Sequence, residues 1–337
     1  MSQGRIVLQG VPRVGYDVHL CPFPGVLYAY LQYIGDPQDY DYLMGITGAA
    51  FRRLWNRDDG GNVGILRYDD EPFRQVFTSL GYDWRKVSSD ADEGTMMAAI
   101  QESLARNHPA ISFGIIGPPE PGLVTGYDKD GDVLYGWSYF QGDRRQYYES
   151  RDWFETMDKG GGVGLLIIGD QRPIRPTARD VLIASLQWAI DLERTAHRPN
   201  LPDHLGGLVA YDGWADALKV DADYPFDNPA VIDLRCMVYG DQVVMLEERR
   251  SAAGYLRQMA WAAPEAAVHL GAAATFYEQA ATLSSTVWPW GGTTHQAANP
   301  GLIDGRVRRE LAGHIRAAKA AEARAVEHLE QALAALR

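Results

Sequence analysis

Apolar positions in the first half of the chain fall in short runs broken by glycine and proline, whereas the second half spaces them along alanine-rich stretches. Short runs predict mixed strands and helices; the long stretches predict helices. Residues 6–9 form a short β-like run. From Pro24 to Ile34 the chain is aromatic and aliphatic, and Gly35 ends it. A helix there begins at or just after Cys21, because proline is tolerated in a first helical turn and glycine suits the stop. Residues 40–44 and 49–55 predict further helices, 63–67 a strand, and 71–80 a helix ended by Gly81. An amphipathic helix is expected over 95–106, with His108-Pro109 breaking it.

Residues 110–116, 123–127 and 132–140 are the clearest β region. Asp128-Lys129-Asp130-Gly131 lies between the last two and reads as a hairpin turn. Its acidic spacing does not suit a calcium loop, because the glycine is misplaced and no glutamate closes it. Residues 163–168 complete the strand-rich part. Beyond Pro173 and Pro176 the character changes. Thr177 can cap a helix running to about Ala196, and residues 209–218, 262–284 and 307–336 are the strongest later helices. Residues 226–229 and 287–300 read as loops. The expected division is therefore 1–172 and 173–337, the second part mainly helical and packing on the first.

Length supports two domains, since 337 residues exceed the roughly 250–300 that one core usually serves. The net charge of -12 repels phosphate backbones and anionic lipid, which excludes nucleic acid and membrane as expected partners. Two cysteines, Cys21 and Cys236, do not make a secreted disulfide scaffold. The first ten residues lack the pattern of a signal peptide, and no apolar stretch approaches the ~20 residues that span a bilayer. A cytoplasmic location is the expectation. Glu265 and His269 share a helix face, but no second ligand pair has metal-site spacing, so neither metal nor cofactor is expected. Gly160-Gly161-Gly162-Val163-Gly164 lacks a P-loop lysine and reads as a connection.

Chemistry concentrates at Cys21. A thiol at a helix N-terminus feels the positive end of the dipole and unpaired N–H groups, which favour the nucleophilic thiolate. A buried, inert cysteine is the other reading of the same residues. His19, two residues earlier, shares a face with Cys21 if the segment is extended; otherwise it is a loop histidine bonded to backbone.

The stretch from Val18 through Cys21-Pro22-Phe23-Pro24-Gly25 to Gly35 resembles the opening of the butirosin-biosynthesis BtrH N-terminal family. Met44-Gly45-Ile46-Thr47-Gly48-Ala49-Ala50-Phe51, Pro109-Ala110-Ile111-Ser112 and Leu123-Val124-Thr125-Gly126-Tyr127-Asp128 resemble later parts of it. The last of these is also similar to the Gly-Tyr-Asp strand of C39-like and papain-like peptidases. The resemblance covers roughly residues 5 to 170. It implies an α+β, papain-like (C39-like) cysteine-peptidase fold, with an antiparallel sheet and a cysteine-bearing helix, followed by a mainly α-helical region. It implies secondary metabolism and, in the founding member, acyl transfer from a carrier protein to an aminoglycoside amine.

Carried onto this sequence, the resemblance makes Cys21 the nucleophile. The base histidine position holds Glu120, the orienting position lies in Tyr135-Gly136-Trp137-Ser138, and the oxyanion glutamine position holds Gly15. The catalytic candidates are thus Cys21, His19 and Glu120. The candidates for substrate binding are Tyr127, Trp137, Trp288 and Trp290; the last two lie in a loop-like segment, and Trp137 clusters with Tyr139 and Phe140. Expected partners are a small-molecule or peptide substrate and an acyl carrier protein, with a homo-oligomer left open. The functional expectation is a thiol-dependent acyltransferase or amide hydrolase. A catalytically silent relative that binds a small ligand in the same cleft is the alternative, and a helical protein-interaction module is the second alternative.

Overall fold

The computed structural model describes residues 4–58, 64–142, 144–157, 162–287 and 300–337. Trp288 and Trp290 lie outside the described residues. The protein is α+β. Its chain forms two compact units, Met1–Leu43 with Val76–Arg175, and Met44–Gln75 with Pro176–Arg337.

The first unit is built on a seven-stranded antiparallel sheet. Its strands are β1 (Ile6–Val7), β3 (Tyr82–Ser88), β4 (Ala110–Phe113), β5 (Pro121–Asp128), β6 (Val133–Trp137), β7 (Tyr148–Ser150) and β8 (Val163–Gln171). They run in the order β3-β8-β4-β5-β6-β7, and β1 pairs with β5. Strand β5 meets β4 from Pro121 to Val124 and β1 at Gly126 and Tyr127, so two short strands share its length. The turn at Asp128–Gly131 forms where expected, with Asp130 left-handed at φ 59.

Helix α1 (Pro22–Ile34) packs on β5. Pro22 occupies the first helical position, where no intrahelical N–H bond is lost. Gly35 ends the helix in the left-handed region at φ 82, which a side chain would strain. Helices α2 (Tyr40–Ile46) and α3 (Glu71–Leu80) straddle the division between the units. Helix α4 (Glu93–Ala105) is capped by the Asp92 carboxylate, which accepts from Thr95 N–H at 2.9 Å, and packs across β4, β5 and β8. A short helix, α5 (Trp153–Thr156), precedes β8.

The second unit contains α6 (Ala178–Arg194), α7 (Gly207–Ala217), α8 (Pro229–Glu247), α9 (Arg249–Met259), α10 (Ala267–Thr282), α11 (Ser284–Val287) and α12 (Gly305–Ala335). Thr177 and Asp180 form a reciprocal capping box at α6. Helix α10 lies along both α12 and α9, and α6 and α7 pack on α12. None of the helices of the described residues is long and apolar enough to cross a membrane.

Three local expectations are corrected. Residues 49–55 do not form a helix; Leu54–Trp55 is strand β2, paired with β9 (Leu205–Gly206). The described part of 63–67 is a 3-10 turn, Ile65–Arg67, rather than a strand. Met44–Gln75 joins the second unit although it lies in the first half of the sequence.

That excursion places backbone carbonyls around a buried ion pair. Arg249 and Glu322 are both fully buried. The Arg249 guanidinium donates to the two Glu322 oxygens at 2.6 and 2.8 Å. It also donates to the carbonyls of Ala50, Phe51, Arg52 and Met245. The Tyr211 hydroxyl donates to Glu322 at 2.6 Å. Burial alone would raise the Glu322 pKa; the Arg249 charge and fork outweigh it and hold it low. Glu193, buried beside them, goes the other way: burial and the Glu322 charge push its pKa well up. The cluster thus holds one ionised and one neutral carboxyl.

Candidate active site

Cys21 is the N-cap residue of α1, in extended conformation at φ -90 and ψ 114, with no side-chain capping bond. It is 2% exposed. The helix end above it is poor in donors: Pro22 and Pro24 carry no N–H, which removes two of the groups that normally face an anion there. Cys21's own N–H donates to the Tyr40 hydroxyl at 3.1 Å.

His19 lies beside that tyrosine. Its ring stacks on Tyr40 with centroids 3.9 Å apart and planes 12° apart, and meets the edge of Tyr28 at 4.7 Å. Half-burial lowers its pKa, which keeps the imidazole neutral. Its backbone N–H donates to the Gly15 carbonyl at 3.1 Å. Gly15, at the expected oxyanion position, therefore contributes a carbonyl to the loop ahead of Cys21.

Tyr139 completes the neighbourhood. It is 6% exposed, and its hydroxyl has no hydrogen-bond partner among the described residues. That hydroxyl rests on the first turn of α1: a Cβ placed on Gly25 would lie 2.0 Å from it and 3.1 Å from the His19 Cβ. Gly25 is thus required by close approach. Burial pushes the Tyr139 pKa well above the ordinary tyrosine value, and Cys21, Tyr16, Glu120 and Asp17 add to it. The group is a neutral phenol, able to donate. The Tyr16 ring meets it edge-on at 4.9 Å and is partly exposed.

The turn carrying Tyr139 is braced from both sides. Ser138 N–H donates to the Gln141 side-chain oxygen at 2.8 Å, and Phe140 N–H to the Ser138 hydroxyl at 3.0 Å. The Ser138 hydroxyl donates to the Ile116 carbonyl at 3.0 Å, and Gln141 Nε2 to the Gln146 carbonyl at 3.1 Å. Glu120 immediately precedes β5, and its carbonyl accepts from Gly114 N–H at 3.4 Å.

Gly25 thus brings the Tyr139 hydroxyl and the His19 Cβ together on the helix turn that follows Cys21. The other described candidates serve the sheet. Trp137 is buried; its indole N–H donates to the Val11 carbonyl at 2.9 Å and its ring meets Tyr147. Tyr127 is buried on β5 opposite Ile6 and Leu134. Glu265 pairs with Arg179. Sequence reasoning assigned Tyr139 to an aromatic cluster and missed its hydroxyl. The available signal was Gly25, because glycine inside a helix costs about 1 kcal/mol and asks for a packing reason.

No protein-family model matches this chain, and no curated protein matches it.

Proposed function

We propose that the first unit is a papain-like, thiol-dependent acyltransferase or amide hydrolase acting on a small molecule or peptide through Cys21. The observation that carries the reading is the place of Cys21 at the head of α1, with a buried phenol, Tyr139, packed on the next turn and without a hydrogen-bond partner among the described residues. In this reading the Cys21 thiolate attacks a carbonyl carbon, forming an acyl thioester that an amine or water then resolves. His19, kept neutral, and Glu120 are the groups available to take the thiol proton. An acyl carrier protein is a suitable donor, because its thioester exchanges with a thiolate without loss of acyl energy.

A second reading is a catalytically silent relative that binds a small ligand in the equivalent cleft. It is favoured by the 2% exposure of Cys21 and by the commitment of its N–H to Tyr40. The pH dependence of iodoacetamide alkylation, read at each cysteine by mass spectrometry, separates the two. Cys236 on α8 is the internal control. Fast Cys21 modification with an apparent pKa well below the ordinary thiol value of about 8.5 supports chemistry. Slow modification, with a pKa at or above that value, supports binding alone.

A further inference from the structure

We infer that Tyr139 supplies the hydrogen-bond donor for the oxygen of the carbonyl group under attack, taking over a task that the backbone of α1 cannot perform. The inference rests on the thiol reading above and assigns the polar group that reading lacks.

Acyl transfer to a thiolate puts a full negative charge on the former carbonyl oxygen. A site that performs it needs preorganised donors aimed at that oxygen. At a cysteine heading a helix, the nearest backbone donors are the cysteine's own N–H and those of the first helical turn. Here Cys21 N–H donates to Tyr40, and prolines occupy the first and third helical positions. The backbone supply is therefore almost exhausted before a ligand arrives. The Tyr139 hydroxyl lies against Gly25, one turn from Cys21, in electrostatic reach of the thiol. It is buried and has no acceptor among the described residues. A buried hydroxyl left unpaired carries a penalty that a structural tyrosine usually avoids by finding a partner. The Ser138–Gln141 bracing of its turn fixes the donor before substrate binds. The ligand this donor fits is a compound presenting a carbonyl oxygen, as a thioester, ester or amide.

Two reactions of the same sulfur test the assignment, one that builds an oxyanion and one that does not. The probe for the first is p-nitrophenyl acetate. The Cys21 thiolate, its proton already in solvent, attacks the acetyl carbon, and the carbonyl π pair moves onto oxygen. That pair then re-forms the carbonyl as the bond to p-nitrophenolate breaks, leaving an acetyl thioester on Cys21. The probe for the second is iodoacetamide, which the thiolate attacks at a saturated carbon with loss of iodide. Both are followed at the Cys21 peptide by mass spectrometry.

In Tyr139→Phe the expected result is a fall in Cys21 acetylation of about 100-fold to 1,000-fold, with alkylation changed by less than about threefold. Gly25→Ala, which displaces the hydroxyl while keeping it, is expected to lower acetylation in the same selective way. Equal acetylation in the native protein and Tyr139→Phe overturns the donor role and leaves the thiol reading intact. So does an equal fall in both reactions, which reports a change in access. If native Cys21 alkylates but never acetylates, the acyl-transfer reading fails and the donor role fails with it.

Discussion

Two buried polar clusters, one in each unit, differ in how the group at their centre is bonded. Around Arg249 every guanidinium nitrogen has an acceptor, and Glu322 accepts from both Arg249 and Tyr211. Around Cys21 the backbone N–H is occupied, yet the hydroxyl packed on the adjoining helix turn is not. The first cluster ties a helix start, α9, to the last helix and to an early loop. The second ties nothing with its phenol. Burial of polar groups alone therefore does not mark a reactive site. Nor does an unspent donor by itself, since Arg53 Nε and Nη2 are buried without an acceptor among the described residues; what sets Tyr139 apart is its place against the helix turn that follows Cys21.

The largest test of this contrast is Glu322→Ala. It leaves Arg249 buried without its carboxylate, and a broken buried pair costs about 3–5 kcal/mol. Urea unfolding of the full chain should show that loss. A loss below about 1 kcal/mol would put the pair on a level with an exposed one and dissolve the comparison.

Next in size is Gly25→Ala. With its Cβ 2.0 Å from the Tyr139 hydroxyl, overpacking should cost about 1–3 kcal/mol. Adding Tyr139→Phe removes the clashing atom, so the double variant should recover most of the loss. Strictly additive losses would mean that the two residues do not meet.

A third test uses pH. Glu193 has its folded pKa raised, so the native state holds a proton that the unfolded state releases above the ordinary carboxylate range. Its contribution is fully present below the unfolded pKa and is lost as pH rises towards the folded one. The slope is at most about 1.4 kcal/mol per pH unit for a single group. Glu193→Gln should flatten the decline in stability above the ordinary carboxylate range. Glu322, with a lowered pKa, gives the reverse dependence, its stabilisation failing only in acid. An unchanged slope in Glu193→Gln would show that this carboxyl is already ionised in the native state.

The smallest effect is expected for Tyr139→Phe on stability. It deletes a hydroxyl that bonds nothing among the described residues, so the unfolding free energy should rise by about 1 kcal/mol as the desolvation penalty is relieved. A loss would mean that the hydroxyl already serves the fold.

What the sequence disclosed about this contrast followed range of interaction. Helix α1 and its Gly35 stop, the Thr177 cap and the turn at Asp128–Gly131 are local devices, and each was legible. The helix expected over 49–55 failed because Leu54–Trp55 finds its partner at Leu205–Gly206, far along the chain. Strand β3 escaped notice because it is an edge strand: Asp83, Arg85 and Lys86 face outward and mask its pattern. At the site, Cys21 was legible from its place at the start of α1, and Glu120 came from resemblance. The role of Tyr139 did not, because an unpaired hydroxyl is defined by what surrounds it, and no spacing rule encodes that.

The grouping of Met44–Gln75 with the second unit also sets an order of events during synthesis. The carbonyls of Ala50, Phe51 and Arg52 leave the ribosome early, but Arg249, which caps them, is made almost two hundred residues later. Glu322, which neutralises that arginine, comes later still. Neither unit is a continuous stretch, so the second core cannot close until α12 is translated. A nascent chain that stops before α12 holds Arg249 without its carboxylate and has a long wait in which to be captured by a chaperone.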